Sequence, residues 1–182
     1  MKKCVILIPA YNEEKNLKKV IQTFKKYGKT IVVNDNSKDK TKNIAELNAF
    51  KTINNKNNIG YDRSIRKGIS YILKNFKNIK KLITVDGDGQ HQPIFIKKFL
   101  NLSNKYDIVI GNRNFYNREI EKKISEMSLK KFGLKDPLTG FKCYRLDRIK
   151  KYWNTLDGKD DYFGMFCLLW SNKLKIINSK IY

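Results

Sequence analysis

A chain of 182 residues with 39 lysines and arginines against 17 acidic residues carries a formal net charge of +22. Its hydrophobic content of 41% and recurrent apolar runs exclude a disordered polyelectrolyte and fit one domain, 1–182, with a sizeable core. No apolar stretch nears the ~20 residues a membrane span requires, and the run at residues 4–8 is too short for a signal-peptide core.

The charge invites a nucleic-acid reading. Arginine, the residue suited to bidentate base recognition, is however limited to Arg63, Arg66, Arg113, Arg118, Arg145 and Arg148. The abundance of Lys, Asn and Ile fits an A/T-rich genome, so no specific nucleic-acid partner is expected. A basic face still attracts anionic membrane surfaces and phosphorylated substrates. Cys4, Cys143 and Cys167 are odd in number, far apart and without metal-ligand spacing, which implies a reduced, cytoplasmic protein.

The elements alternate. Residues 4–8 form a continuous apolar run, the mark of a buried parallel strand. A helix follows over 13–27, with Leu17, Val20, Ile21 and Phe24 on one face, and a second strand over 30–33. Ser37 is placed to cap a helix running to about 47, with Asp39 in its first turn. Residues 50–53 make a short strand, 54–58 a polar loop, 61–76 an amphipathic helix and 82–85 a buried strand. Pro93 opens a helix to about 102, residues 107–110 form a strand, and 120–132 an amphipathic basic helix. Helices over 146–153 and 162–170 and a strand over 174–181 close the chain. This β/α alternation predicts a mainly parallel sheet covered by helices on both faces, with ligands beyond the carboxyl ends of the strands.

Three polar clusters fall at those strand ends. Pro9-Ala10-Tyr11-Asn12-Glu13-Glu14 follows the first strand, Asn34-Asp35-Asn36-Ser37 the second, and Asp86-Gly87-Asp88-Gly89-Gln90 the strand over 82–85. Glycines on either side of Asp88 let the backbone turn sharply and approach a ligand. Asp86, Asp88 and the amide of Gln90 form a hard-oxygen set suited to Mg²⁺ or Mn²⁺. A solvated Asp-Gly turn is the plain alternative.

Five segments together resemble glycosyltransferase family 2, which has the GT-A (Rossmann-like) fold, and within it the dolichol-phosphate mannosyltransferase and polyprenyl-phosphate glycosyltransferase branch. They are Ile8-Pro9-Ala10-Tyr11-Asn12-Glu13-Glu14, residues 32–41, 58–68 and 85–93, and Asp136-Pro137-Leu138-Thr139-Gly140-Phe141-Lys142, in the family's order. Residues 163–182 are similar to the family's last helix and strand. The resemblance implies that Pro9, Ala10, Tyr11 and Glu13 line a nucleotide pocket, with Tyr11 near the base. Asp35 would accept a hydrogen bond from the base edge, or else cap the following helix. Asp86, Asp88 and Gln90 would hold the divalent ion bridging the diphosphate of a nucleotide-sugar donor. His91, a lone histidine, would be structural. The Asp136–Lys142 segment would approach the sugar and the acceptor phosphate, with Arg113 beside phosphate and Arg118, Lys142 and Arg145 as further candidates. Transfer would be inverting, and a neutral hydroxyl acceptor would need a base, for which Asp136 is the best placed.

The chain departs from the family at Asn34, where a first Asp is usual, at Ser64, where Ala is usual, and at Asp62-Arg63, which replace small residues. The stretch between Gly111 and Asp136 is short where relatives carry longer apolar interface helices. Its one compact candidate sets Ile120, Ile124, Met127 and Phe132 opposite Lys122, Lys123, Lys130 and Lys131. That apolar face either packs on the domain or lies in a membrane surface. No C-terminal membrane anchor is expected, so membrane contact would be peripheral or through a membrane-protein partner. Three functions follow as alternatives: a metal-dependent transferase acting on polyprenyl phosphate, the same donor chemistry with a glycan or other hydroxyl acceptor in surface-polysaccharide assembly, or a non-catalytic basic binding protein.

Overall fold

A computed structural model of the chain describes residues 4–116, 118–153 and 172–181. Apolar β-branched runs form β1 (Cys4–Ala10) and β2 (Lys29–Asn34), both buried almost throughout. They pair in parallel with each other, with β3 (Lys51–Asn54) outside β2 and with β4 (Lys81–Thr84) on the other side of β1. The sheet continues through β6 (Lys142–Arg145), β5 (Ile108–Asn112) and β7 (Ile176–Lys180), in the order β3-β2-β1-β4-β6-β5-β7. Only β6 runs against its neighbours among these strands.

Residue alternation along β1 divides the core. Cys4, Ile6 and Ile8 face α1 (Leu17–Phe24), α2 (Thr41–Asn48) and α4 (Phe95–Leu102). Val5 and Leu7 face α3 (Tyr61–Asn75) and α6 (Leu146–Trp153). Helices therefore cover both faces, as the alternating pattern predicts. The expected helix over 162–170 and Cys167 lie outside the described residues. The thiols of Cys4 and Cys143 are free and buried; burial pushes the Cys143 pKa up to about 12 and that of Cys4 above its ordinary range.

α3 comes unusually near β1 at Gly68. A Cβ there would run into Leu7 Cδ1, with Leu7 Cδ2 at 2.9 Å and Val33 Cγ2 at 3.0 Å. Gly68→Ala is therefore expected to destabilise the fold by about 1–3 kcal/mol through overpacking, measured as a lowered urea midpoint. An unchanged midpoint would mean that the helix can lift off the sheet without cost.

Two local readings are corrected, and a third, open between two uses, is narrowed. α1 is shorter than expected, because turns occupy residues 14–16 and 25–27. α2 begins at Thr41 rather than at Ser37, whose hydroxyl accepts the Asn12 N–H at 3.0 Å instead of capping the helix. α5 (Glu119–Phe132) buries Glu121, Ser125 and Ser128, not an apolar stripe. Ile120 is 58% and Met127 71% exposed, and only Phe132 of that face packs on the core.

Candidate active site

The loops after β1 and β2 are laced together. Asn12 and Asn36 adopt left-handed backbone (φ 56° and 59°), which asparagine tolerates better than most residues. Asn12 Oδ1 accepts the Lys38 N–H at 2.8 Å, Thr41 Oγ1 accepts the Glu13 N–H at 2.7 Å, and Asp39 Oδ2 accepts the Glu14 N–H at 3.1 Å. These ties fix Tyr11 and Glu13 over the end of the sheet.

Asp35 is 4% exposed. Its carboxylate accepts from Asn55 Nδ2 at 2.7 Å, the Ile59 N–H at 2.9 Å and the Gly60 N–H at 2.8 Å. It shapes the loop leading into α3 and does not cap the helix that follows it. Asn34 donates from Nδ2 to Asn54 Oδ1 at 3.0 Å while its Oδ1 accepts the Ser37 N–H at 3.2 Å. A carboxylate could make only the second of these bonds. The departure at Asn34 is thus matched by Asn54.

Pro9, Ala10, Tyr11, Glu13, Asp35, Asp86 and Asp88 line one cavity of about 530 Å³. Tyr61, which the sequence reading passed over, lines it too. Its hydroxyl donates to Asp86 Oδ1 at 2.8 Å, and desolvation together with the Asp86 charge raises its pKa well above the usual value, although the residue as a whole is 43% exposed. On the other side, the Asp86 N–H donates to His91 Nδ1 at 3.1 Å, so neutral His91 carries its proton on Nε2, 3.5 Å from Asp86 Oδ2. The His91 ring stacks on Phe141 at 4.7 Å, a supporting position consistent with the structural role expected of it. A Cβ on Gly140 would collide with the Asp86 carboxylate itself. Asp86 is therefore fixed from three sides. The Asp88 Oδ1 accepts the Gln90 N–H at 2.9 Å, and Gln90 is exposed outside that cavity.

A divalent cation suits this donor set. Burial raises the Glu13 pKa, a hydrogen bond with Asn16 opposes the rise, and the charges of Asp88, Asp86 and Asp39 add to it. That excess of negative potential is what a cation relieves. Among the described residues no three His, Cys, Asp or Glu side chains converge into a closed cage. Remaining ligands would come from substrate phosphates and water, the usual habit of Mg²⁺.

Asp86 and Tyr61 also border a second cavity of about 340 Å³, lined further by Arg113, Arg118, Glu121, Thr139, Gly140 and Lys142. Asp136, 1% exposed, takes three hydrogen bonds from Arg113: Nε and backbone N to Oδ2 at 2.9 and 3.0 Å, Nη2 to Oδ1 at 3.0 Å. Burial works against the Arg113 charge, but the bonds and charge of Asp136 and the charge of Glu121 outweigh it and raise the pKa. Lys142 is 2% exposed and donates to the carbonyls of Pro137 and Thr139, each at 2.7 Å. Lys142, expected with its segment near the sugar and the acceptor phosphate, lines this second cavity and not the one under Tyr11. Arg145 is elsewhere, pairing with Asp147 at 2.9 Å. Another cavity, of about 760 Å³, lies at the opposite end of β2 around Lys29, Phe50 and Phe76 and has no carboxylate in its lining.

Residues 5–167 match the profile of glycosyl transferase family 2. The chain belongs to that family. An uncharacterized protein of Methanocaldococcus jannaschii is 36% identical over 130 residues, 66% of this chain and 56% of its own length. The UDP-N-acetylglucosamine–dolichyl-phosphate N-acetylglucosaminyltransferase of Methanococcus voltae is 32% identical over 150 residues, 68% of this chain and 59% of its own. This family 2 chain spans little more than half the length of those curated relatives. Its fold matches that of Mycobacterium tuberculosis glucosyl-3-phosphoglycerate synthase, solved in complex with Mn²⁺, UDP and phosphoglyceric acid. The TM-score is 0.72 at 14% identity, over 98% of this chain and 68% of the other. This is the GT-A fold.

Proposed function

We propose that residues 1–182 form one catalytic domain that transfers a sugar from a nucleotide diphosphate to a polyprenyl phosphate, with inversion and with a divalent ion. The bidentate grip of Arg113 on Asp136 carries the acceptor assignment. With both oxygens engaged and 1% exposure, Asp136 is badly placed to take a proton from a hydroxyl acceptor. A phosphate oxygen is already anionic near neutral pH and needs no base. The cavity beside Asp86 supports the same choice, since Arg113, Arg118 and Lys142 line it. No carboxylate among the described residues reaches the buried Lys142 ammonium within salt-bridge distance, and a buried cation of this kind is costly unless an anion joins it.

The donor nucleotide fills the cavity under Tyr11, with Asp35 shaping its floor. Asp86 and Asp88, with Gln90 from the exposed turn beside them, would hold a Mg²⁺ or Mn²⁺ ion, which would supply neutralisation of the charge on the departing diphosphate. Asp86, held by Tyr61, His91 and the close approach of Gly140, keeps a fixed orientation. The acceptor oxygen enters from the second cavity and attacks the anomeric carbon opposite the leaving group; holding both reactants in line supplies most of the advantage. The Methanococcus voltae relative, named for dolichyl phosphate, supports a lipid-phosphate acceptor, and the Mn²⁺ and UDP in the glucosyl-3-phosphoglycerate synthase complex support a metal-dependent donor site.

α5 supports peripheral contact with the cytoplasmic face of an anionic membrane. Ile120, Met127 and Leu129 are exposed, and Lys122, Lys123, Lys130 and Lys131 flank them. No helix among the described residues is long and apolar enough to cross a membrane.

The test incubates the protein with UDP- and GDP-sugars, Mg²⁺ or Mn²⁺, and a short polyprenyl phosphate, and counts sugar extracted into organic solvent. Lipid-linked sugar is expected. Donor hydrolysis without lipid product would remove the lipid acceptor, and failure to bind any nucleotide sugar would remove the transferase.

A further inference from the structure

Glu121 is the acidic residue of α5 that turns inward, and it is 7% exposed. Its Oε2 accepts from Arg113 Nη1 at 3.1 Å, while its Oε1 accepts from Arg118 Nε at 2.9 Å and Nη2 at 2.6 Å. One carboxylate thus bridges two guanidinium groups that line the same cavity. Arg113 is gripped from two sides, by Asp136 and Glu121. The Arg118 side chain is 74% exposed, yet its guanidinium is fastened through both of these bonds.

Stability alone is a poor reason for this arrangement. Desolvating a carboxylate is costly, and replacing a whole buried ion-pair cluster by well-packed apolar residues is often as stable. A favourable first-turn position on the helix dipole returns only a small part of that cost. Glu121 also lowers the positive charge of a cavity lined by Arg113, Arg118 and Lys142, which by itself weakens attraction for an anion. Its gain is geometric. A guanidinium has five N–H donors; Arg113 uses three side-chain N–H on Asp136 and Glu121, and Arg118 uses two on Glu121. The donors left over belong to two groups tied to one carboxylate at the border of one cavity. A freely rotating Arg118 would have to be ordered at each binding event, at a cost in rotamer entropy.

We infer that Glu121 is a positioning residue: it sets the spacing of Arg113 and Arg118 so that the two together grip one phosphate group of the acceptor. This rests on the acceptor assignment above for the identity of the phosphate, but not for the spacing itself.

The experiment compares the full chain with Glu121→Gln and Glu121→Asp, the second retaining charge at shorter reach. Arginine Nε–H resonances are followed by NMR, first without ligand and then with inorganic phosphate, and acceptor and donor KM values are measured with short polyprenyl phosphate. In the unchanged protein, the Arg118 signal is expected to be sharp and to shift together with that of Arg113 on adding phosphate. Glu121→Gln should broaden the Arg118 signal, weaken phosphate binding about tenfold and raise the acceptor KM similarly, with donor KM within twofold; Glu121→Asp should recover part of this. An Arg118 signal equally mobile with and without the Glu121 carboxylate would overturn the inference, as would donor and acceptor KM rising together. If the signals and phosphate shifts behave as expected but no lipid product forms, the positioning role stands and the polyprenyl acceptor falls.

Discussion

Asp88→Asn is expected to lower kcat/KM for the nucleotide sugar by roughly 10³-fold, about 4 kcal/mol of transition-state stabilisation. Asp86 is wedged between Tyr61, His91 and Gly140, whereas the Asp88 carboxylate accepts the N–H of Gln90 from its own turn. Its carboxylate is the less encumbered of the two toward a cation. Asparagine keeps the shape and an acceptor oxygen but removes the charge, so the folded stability should hardly move. The measurement is steady-state transfer at several Mn²⁺ concentrations. Partial rescue by high Mn²⁺ fits a weakened ion site, and full activity at low Mn²⁺ would remove Asp88 from the metal-binding set.

Arg113→Met should be the most damaging single change to the fold near the site. It removes the charge partner and both side-chain bonds of the Asp136 carboxylate, 1% exposed, leaving it the backbone N–H of residue 113, and takes one partner from Glu121. Breaking a buried pair on one side costs about 3–5 kcal/mol, which in a chain of this size lowers the melting temperature by roughly 6–20 °C. Adding Asp136→Leu should return part of the loss, because the remaining cost lies in the uncompensated charge rather than in the missing bond. A single variant that melts within about 1 °C of the unchanged protein would show that water reaches Asp136 freely. Both variants should lose transfer activity, since neither keeps the cation beside Asp86.

Much of this was legible in the residues because local pattern and burial agree. Residues 4–8, 30–33 and 82–85 are apolar runs that could only be buried strands, and their polar sequels fall at the carboxyl ends, where the first cavity lies. β6 escaped notice. Lys142-Cys-Tyr-Arg145 is four residues long with a charge at each end, and nothing local reveals that two carbonyls of its own preceding loop accept the Lys142 ammonium. α5 was undecided for a related reason. Its apolar residues fitted either an inward face or a membrane surface, and only the guanidinium it meets turns a carboxylate and two serines inward. In sequence, Glu121 is indistinguishable from Glu119 and Glu126. Likewise Ser37 has the composition of a cap, and only a loop distant in sequence, at Asn12, decides where its hydroxyl goes.

The reversed strand also governs the order in which the molecule can be built. β4 and β5 are consecutive in the chain, yet β6 lies between them, paired to both. As the chain leaves the ribosome, β1 to β4 can zip together from neighbouring segments, whereas β5 must wait, unpaired on that side, until residue 145 has emerged. Pairings across such separations form late and are slow to close. The nucleotide cavity, drawn from the early strands, should therefore exist before the phosphate-facing one, whose Gly140 carbonyl accepts the Thr84 hydroxyl across that last seam. A nascent chain halted before β6 should already recognise nucleotide while having nothing to transfer to.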